Sequence, residues 1–395
     1  MRSLINESVN LIRQDFSVSF SYGVYFTNKL FNTDNQLFSD LLKEGQNRRV
    51  NRVVFIIDSA VAKYHSNLAD KIVKYCNHFP EIIEICGHPL VIEGGELAKN
   101  DIGLIKRIIQ FIDDHSIDRH AYVVGIGGGA ILDLVGFVAA IAHRGIRHIR
   151  IPTTVLSQND AGVGVKNGIN YLNKKNYLGT FVPPFAVIND SNFLHTLEDR
   201  DWRSGISEAL KVALIRDFEF FNWIDDNVGN LVNRDLATME TLIYRCAKHH
   251  LLHIGTNGDP FEKGSSRPLD FGHWAAHKLE QLTHYQLRHG EAVAIGIALD
   301  VAYSHYIGLL DEKSMDRVHS CLLKLGFDIY HPLLSNSLGD HINPSLLDGL
   351  EEFREHLGGI LTIMLIKQLG NGIEVNSMNQ VSLDAAINNL RSKSI

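Results

Sequence analysis

The chain is poor in cysteine and has no apolar run long enough to span a bilayer. Its four cysteines, Cys76, Cys86, Cys246 and Cys321, are scattered and form no CxxC pair. That spacing argues against a zinc ribbon or a disulfide framework and for free thiols in a reducing compartment. Positive charge is also short: 38 lysines and arginines face 45 acidic residues, giving a net charge of −7. There is no global basic footprint for nucleic acid. Glu7, Arg13 and Asp15 interrupt the apolar residues of the N-terminus, which leaves no signal-peptide core. No internal repeat or low-complexity segment is present. The expectation is a cytoplasmic globular protein with no nucleic-acid or membrane partner. At 395 residues, 45% hydrophobic and 21% charged, it can build a substantial core in one large or two ordinary domains.

What is present begins as alternating strands and helices. Phe16–Phe26 alternates apolar and polar side chains like a half-buried strand. Val53–Ile57 is a continuous apolar run ending at Asp58, the pattern of a central parallel strand, and a helical pattern follows to His78. Short strands are expected at Ile82–Ile85 and Pro89–Ile92. A helix is expected over Asp101–His115 with Ile102, Ile105, Ile109 and Ile112 on a common face. Ala121–Ile126 and His148–Pro152 read as further strands. Beyond residue 190, helical periodicity dominates in Arg200–Asp226, Asp235–His253, Phe271–Leu282, Glu291–Ile307 and Ser314–Leu325. A C-terminal helix follows a small hairpin from Leu361–Ile366 and Gly372–Val375. The pattern predicts an α/β nucleotide-type domain over 1–190 and a mainly helical domain over 191–395.

Chemistry-bearing residues gather at a few places. The glycine run at 127–129 follows an apolar strand and opens a helix. Such glycines let the backbone approach a pyrophosphate at a helix N-terminus. A plain tight turn explains the run equally well, because the acidic residue of the ordinary dinucleotide fingerprint is missing. The turn containing Glu96 and Lys99 reads, alone, as a solvated loop. Asp160, Lys166, Lys175 and Asn176 fall in a glycine-spaced ribbon whose ammonium and amide donors suit phosphate oxygens, although an exposed hairpin would carry the same residues. Glu208 and Lys211 lie three apart and read either as an i,i+3 surface ion pair or, given their flanks Ile206, Leu210, Val212 and Ala213, as a partly buried pair whose carboxylate needs a partner such as a metal.

The richest stretch is Phe-Gly-His-Trp-Ala-Ala-His at 271–277, followed by Arg-His-Gly-Glu-Ala-Val at 288–293. His273 and His277 share one helix face, and His289 opens the next helical run. Three histidines within seventeen residues point to a metal-assisted site. His249, His250 and His253 read equally as surface, core or site residues.

Taken in order, Gly-Gly-Gly-Ala-x-x-Asp, Arg144-Gly, Ile-Pro-Thr-Thr, Asp160…Lys166, Lys175-Asn176, Glu208…Lys211, Phe-Gly-His and His-Gly-Glu-Ala-Val resemble the 3-dehydroquinate synthase family, the sugar phosphate cyclases. The match runs from Asp58 to Ala294 and is weak outside it. The resemblance implies a dehydroquinate synthase-like fold, a homodimer, NAD, and a divalent metal, zinc or alternatively cobalt. It implies metal ligation by Glu208, His273 and His289. It implies NAD contacts from Asp58, Glu96, Lys99, Gly128, Gly129, Asp133, Thr153, Thr154 and Thr196. Asp160, Lys166, Lys211 and His277 become the catalytic set, with Lys175 and Asn176 on the substrate. Arg144 matches an arginine that reaches the neighbouring subunit's phosphate site. The implied reaction is a transient oxidation, phosphate elimination and intramolecular aldol closure.

The chain departs from the family where dehydroquinate synthases hold a substrate carboxylate. Counting back without gaps from His273, the family's lysine falls on Leu252 and its arginine on Ser266, with Arg267 one residue away. An asparagine is replaced by Asp270, and Arg354 and His356 stand where a C-terminal lysine is expected. Arg267 is a candidate substitute for the family's arginine; losing two charged hydrogen bonds, each worth roughly 1.5–3 kcal/mol, would seriously weaken binding of a carboxylated substrate. Such changes resemble the 2-epi-5-epi-valiolone synthase branch, whose sedoheptulose 7-phosphate substrate has no carboxylate. Dehydroquinate synthase proper, a metal-dependent polyol dehydrogenase and a non-catalytic metabolite-binding protein are the alternatives.

Overall fold

Runs of β-branched and aromatic residues that are buried on both faces form the strands at the centre of the computed structural model. The structure describes residues 12–45, 50–172, 174–256, 261, 268–339, 341–356 and 359–394, excluding the side chains of Pro268 and His356. In chain order the first half contains β1 (Gly23–Thr27), α1 (Leu37–Glu44), β2 (Asn51–Asp58), α2 (Ser59–Tyr64), α3 (Leu68–His78), β3 (Ile83–Ile85) and β4 (Leu90–Ile92). It continues with α4 (Ile102–Asp114), β5 (Tyr122–Gly127), α5 (Gly129–Ile141), β6 (Arg147–Pro152), β7 (Lys166–Tyr171), β8 (Lys174–Phe181) and β9 (Ala186–Asp190). The main sheet runs β1-β9-β6-β5-β2-β3, with β4 also pairing β2, and every pairing is parallel. Alternate residues of one strand serve opposite cores. Val53, Phe55 and Ile57 pack with α1 and α3, while Val54 and Ile56 pack with α4 and α5.

Helices make up most of the second half: α6 (Asp199–Arg216), α7 (Phe218–Asp226), α8 (Val228–Val232), α9 (Leu236–Thr256), α10 (His273–Leu282), α11 (His289–Tyr306), α12 (Glu312–Lys324) and α13 (Pro344–His356). The antiparallel hairpin β10 (Ile363–Gln368) and β11 (Asn371–Val375) and the final helix α14 (Gln380–Lys393) complete it. A third core lies among these helices and the hairpin, and it includes Val155 from just after β6.

Four expected elements differ, the first being the helical stretch to His78, which breaks into α2 and α3. The strand over Phe16–Phe26 is confined to Gly23–Thr27, because its partner β9 offers only Ala186–Asp190; Phe16, Val18 and Phe20 are exposed. The expected face of α4 is also rotated. Leu104, Ile105, Ile108 and Ile112 are buried, while Ile102 and Ile109 are exposed. Isoleucines surround much of this helix, so periodicity alone could not choose the face that meets the sheet. The single helix expected over Arg200–Asp226 breaks at Asp217, which adopts extended backbone and caps α7 by accepting a hydrogen bond from Phe220 N–H at 2.9 Å.

Candidate active site

Chain order places a cleft at the carboxyl ends of β2, β5 and β6. After β2 the chain moves outward to β3 and β4, then returns across β2 to form β5. Such reversals leave a crevice where α/β proteins bind ligands. Here a cavity of about 680 Å³ is lined by Asp58, Glu96, Gly128, Gly129, Thr153, Thr154 and Thr196, and on its far wall by Glu280 and His289. That volume is within the usual range for a cofactor site. The N-terminus of α5 opens onto the cavity without a side-chain cap, so its first N–H groups remain available to an anion. A side chain at Gly127 would meet Ile131 and Asp58, which explains part of the glycine run by close packing. Asp58 caps α2 through Ala60 N–H at 2.8 Å. Burial raises its carboxyl above the usual range, against the opposing Ala60 and Val61 N–H groups.

Lys99 and Asp133, expected at the cofactor, do not line the cavity. Lys99 is buried, pairs with Asp133 at 2.8 Å and donates to Asn176 Oδ1. The three tie the turn at Glu96–Asn100, helix α5 and the β7–β8 hairpin together. His65, missed in the sequence, lines the cavity and lies 2.9 Å from Thr196 Oγ1. A lone histidine after α2 carries no signal of that contact.

The second half of the site is built by α6, α10 and α11. Glu208 on α6 is fully buried; its Oε1 lies 3.5 Å from His273 Nε2 and 3.3 Å from His289 Nε2. Neither carboxylate oxygen has a hydrogen-bond partner among the described residues, although Lys211 forms an ion pair with Oε2. Phe271 O holds His273 Nδ1 at 3.0 Å, and Glu280 Oε2 holds His289 Nδ1 at 3.0 Å. Each imidazole therefore turns its other nitrogen toward Glu208, the arrangement that orients histidine for a metal. One carboxylate and two imidazoles suit zinc with positions left for substrate. His277, Glu280 and His289 form a second compact trio. Lys175 Nζ already occupies both oxygens of Glu280, whereas Glu208 keeps Oε1 facing the Nε2 atoms of both imidazoles, which makes the first trio the better metal site.

Lys211 is buried between Glu208 and Asp160, the latter at 3.3 Å. Burial opposes its charge, but Asp160 and Glu208 outweigh burial and keep it an ammonium well above the usual lysine range. For His277, burial and the nearby Lys175 cation push the imidazole well below its ordinary range, leaving it neutral. Its ring stands 5.4 Å from that of His273 and 5.9 Å from that of His289.

The expected substrate residues divide. Lys175 reaches the site from β8 and Asp270 from the turn before α10, its Oδ2 buried without a hydrogen-bond partner among the described residues. Lys166 and Asn176 are exposed on the β7–β8 hairpin. Arg144 is exposed just past the end of α5 opposite the cleft, about 20 Å along the helix. Arg354 lies on the surface of α13 in an ion pair with Glu351 at 2.6 Å and does not join the cluster. Arg267, Ser266 and the side chain of His356 fall outside the described residues. Leu252, the gap-free equivalent of the family lysine, is exposed on α9. Its neighbour His250 faces the site instead, with Nδ1 3.5 Å from Asp160 Oδ1 and Nε2 buried without a hydrogen-bond partner among the described residues.

Sequence comparisons decide the family. Residues 89–204 match the 3-dehydroquinate synthase N-terminal model and 205–343 its C-terminal counterpart. The 3-dehydroquinate synthase of Alkaliphilus metalliredigens is 32% identical over 325 residues, covering 82% of this chain and 86% of that protein. The chain belongs to the 3-dehydroquinate synthase family. Among these sugar phosphate cyclases, the 2-epi-5-epi-valiolone synthase of Streptomyces hygroscopicus subsp. jinggangensis is 30% identical over 377 residues, covering 93% of this chain and 86% of that one. The solved structure of that organism's 2-epi-5-epi-valiolone synthase ValA, with NAD+ and Zn2+ bound, matches with a TM-score of 0.85 at 29% identity. The match covers 97% of this chain and all (100%) of that one. The cyclase fold inferred from motif order is thus the fold observed.

Proposed function

We propose that this protein is an NAD- and zinc-dependent cyclase of a non-carboxylated heptulose phosphate of the sedoheptulose 7-phosphate type. The observation that carries the substrate preference is Asp270, whose buried oxygen has no hydrogen-bond partner among the described residues and adds negative charge near Lys211. A substrate carboxylate would meet repulsion there, whereas a sugar hydroxyl can donate to the oxygen. The wider match to the valiolone synthase, 93% of the chain against 82% for the dehydroquinate synthase quoted above, supports the same preference. Dehydroquinate synthase activity is the second reading, supported by the family models themselves.

Bound NAD+ supplies a hydride acceptor and donor, and a bound divalent metal supplies polarisation of a ring hydroxyl. Gly128 and Gly129 at the α5 N-terminus would hold the pyrophosphate, and Glu208, His273 and His289 the metal. Lys211 stays cationic, steadied by Asp160, and stabilises negative charge developing on the substrate oxygen. His277 is neutral and accepts the hydroxyl proton during oxidation and returns it during reduction. The new ketone acidifies the adjacent C–H, and the departing phosphate carries that proton away. Lys175 and Asn176 orient the phosphate for this step. Reduction, ring opening and aldol closure then leave a carbocycle and no net redox change. Homodimerisation would give Arg144 its place at the partner subunit's phosphate.

The test is stoichiometry. Incubating the zinc-loaded protein with NAD+ and sedoheptulose 7-phosphate should release phosphate continuously while NADH does not accumulate. Net NADH formation without phosphate release would instead indicate a dehydrogenase.

A further inference from the structure

We propose that Glu280 is a positioning residue that links the metal ligand His289 to the phosphate-side lysine Lys175, making metal affinity depend on where Lys175 is held. The inference rests on the metal reading above and goes beyond the hydrogen bond that orients His289, to what Lys175 does to it. Glu280 lies on α10, seven residues after His273, and is almost fully buried. Its Oε2 receives His289 Nδ1 at 3.0 Å. Both of its oxygens also receive Lys175 Nζ, at 2.9 and 3.1 Å. Lys175 comes from the β7–β8 hairpin of the sheet-bearing half, so one carboxylate joins the two walls of the cleft.

A single carboxylate shared between two donors cannot serve both fully. While Lys175 neutralises Glu280, the pull on His289 Nδ1–H is weakened and Nε2 is a poorer metal donor. When Lys175 turns to a substrate phosphate, Glu280 concentrates its charge on His289 and the ligand becomes more basic. The converse follows by linkage: a metal on His289 draws Glu280 toward the imidazole and releases Lys175 for phosphate. Glu280 would thereby favour metal and phosphorylated substrate being bound together. Its geometry also sets which His289 nitrogen carries the proton, which no surface ion pair would do.

A double-mutant cycle on zinc affinity tests this, using extraction of zinc from the holoprotein by a competing chelator. Glu280→Gln should weaken zinc binding by about 10–100-fold while the circular dichroism spectrum is retained. Lys175→Met should tighten zinc binding severalfold in the wild-type background and have no effect in the Glu280→Gln background. The d–d spectrum of the cobalt-substituted protein should shift in Glu280→Gln and keep its wild-type form in Lys175→Met. Equal effects of Lys175→Met in both backgrounds, or unchanged zinc affinity in Glu280→Gln, would overturn the linkage while leaving the metal site intact. If Glu280→Gln does not fold, Lys175→Met alone decides: tighter zinc supports the linkage, and unchanged or weaker zinc refutes it. A wild-type protein that takes up no zinc at all would overturn the metal reading and this inference with it.

Discussion

Glu208 places an ionised carboxylate in the core, where it is stable only while Lys211 and the two imidazoles face it. Glu208→Gln should therefore abolish stoichiometric zinc and cut phosphate release by at least about a hundredfold, the scale of losing a single charge-stabilising group. Elemental analysis and a phosphate assay check both, and full zinc retention would contradict the ligand assignment. Asp270→Asn should raise activity on a carboxylated heptulosonate phosphate by about tenfold, because one unfavourable charge is removed. At this scale the motif order behind the family resemblance was the legible part: it anticipated that Glu208, His273 and His289 come together, as they do. Glu280 was not legible, because an acidic residue two positions after Lys278 on a helix of mixed character reads as an ordinary surface charge. His250 was hidden for another reason. Gap-free counting pointed to Leu252, and only the rotation of α9 shows which side chain turns inward.

The metal site depends on how closely α10 approaches α11. Gly272 sits in the left-handed region at φ 77°, and a side chain on Gly296 would lie 1.9 Å from Gly272 O. Gly296→Ala should cost about 1–3 kcal/mol by overpacking and loosen zinc by moving His273 from His289. Denaturant unfolding and chelator competition measure the two effects. The same turn is fastened by Asp300, which is fully buried and receives Trp274 Nε1–H at 2.8 Å and Gly272 N–H at 2.9 Å. Burial raises its carboxyl to about 7 despite these donors. In the unfolded chain the same group titrates near about 3.9, so folding takes up a proton between the two values. Its contribution to stability is full below the unfolded value and is lost as pH rises through the folded one. The stability difference between wild type and Asp300→Asn should therefore shift against wild type from about pH 4 to about pH 7. A difference independent of pH in metal-free unfolding would contradict this. The strand and helix series was legible because buried parallel strands and amphipathic helices carry different periods. The true face of α4 and the short β1 were not, since each is set by a partner far away in sequence, and the break at Asp217 was hidden because its cap on Phe220 lies inside a continuous helical pattern.

Across the whole molecule, the cleft has two walls of different chemistry. The sheet side offers a helix N-terminus and hydroxyls, and the helical side offers imidazoles, carboxylates and Lys211. No helix among the described residues is long and apolar enough to cross a membrane. NAD+ bound in this cleft should stabilise the fold by mass action, by about 2.7 kcal/mol at a hundred times its dissociation constant. A thermal melt shows this as an upward shift, and an unchanged melt would contradict the cofactor assignment. The change from alternating strands and helices to a mainly helical stretch was readable from periodicity, but the meeting of Lys175 with Glu280 across the cleft was not, being a contact between residues 105 positions apart. The most direct measurement is kcat/KM for phosphate release from sedoheptulose 7-phosphate and from 3-deoxy-arabino-heptulosonate 7-phosphate, on one zinc-loaded preparation with NAD+. The account predicts a preference for sedoheptulose 7-phosphate of about a hundredfold or more, the scale of two missing charged hydrogen bonds. Turnover of the heptulosonate alone would contradict it.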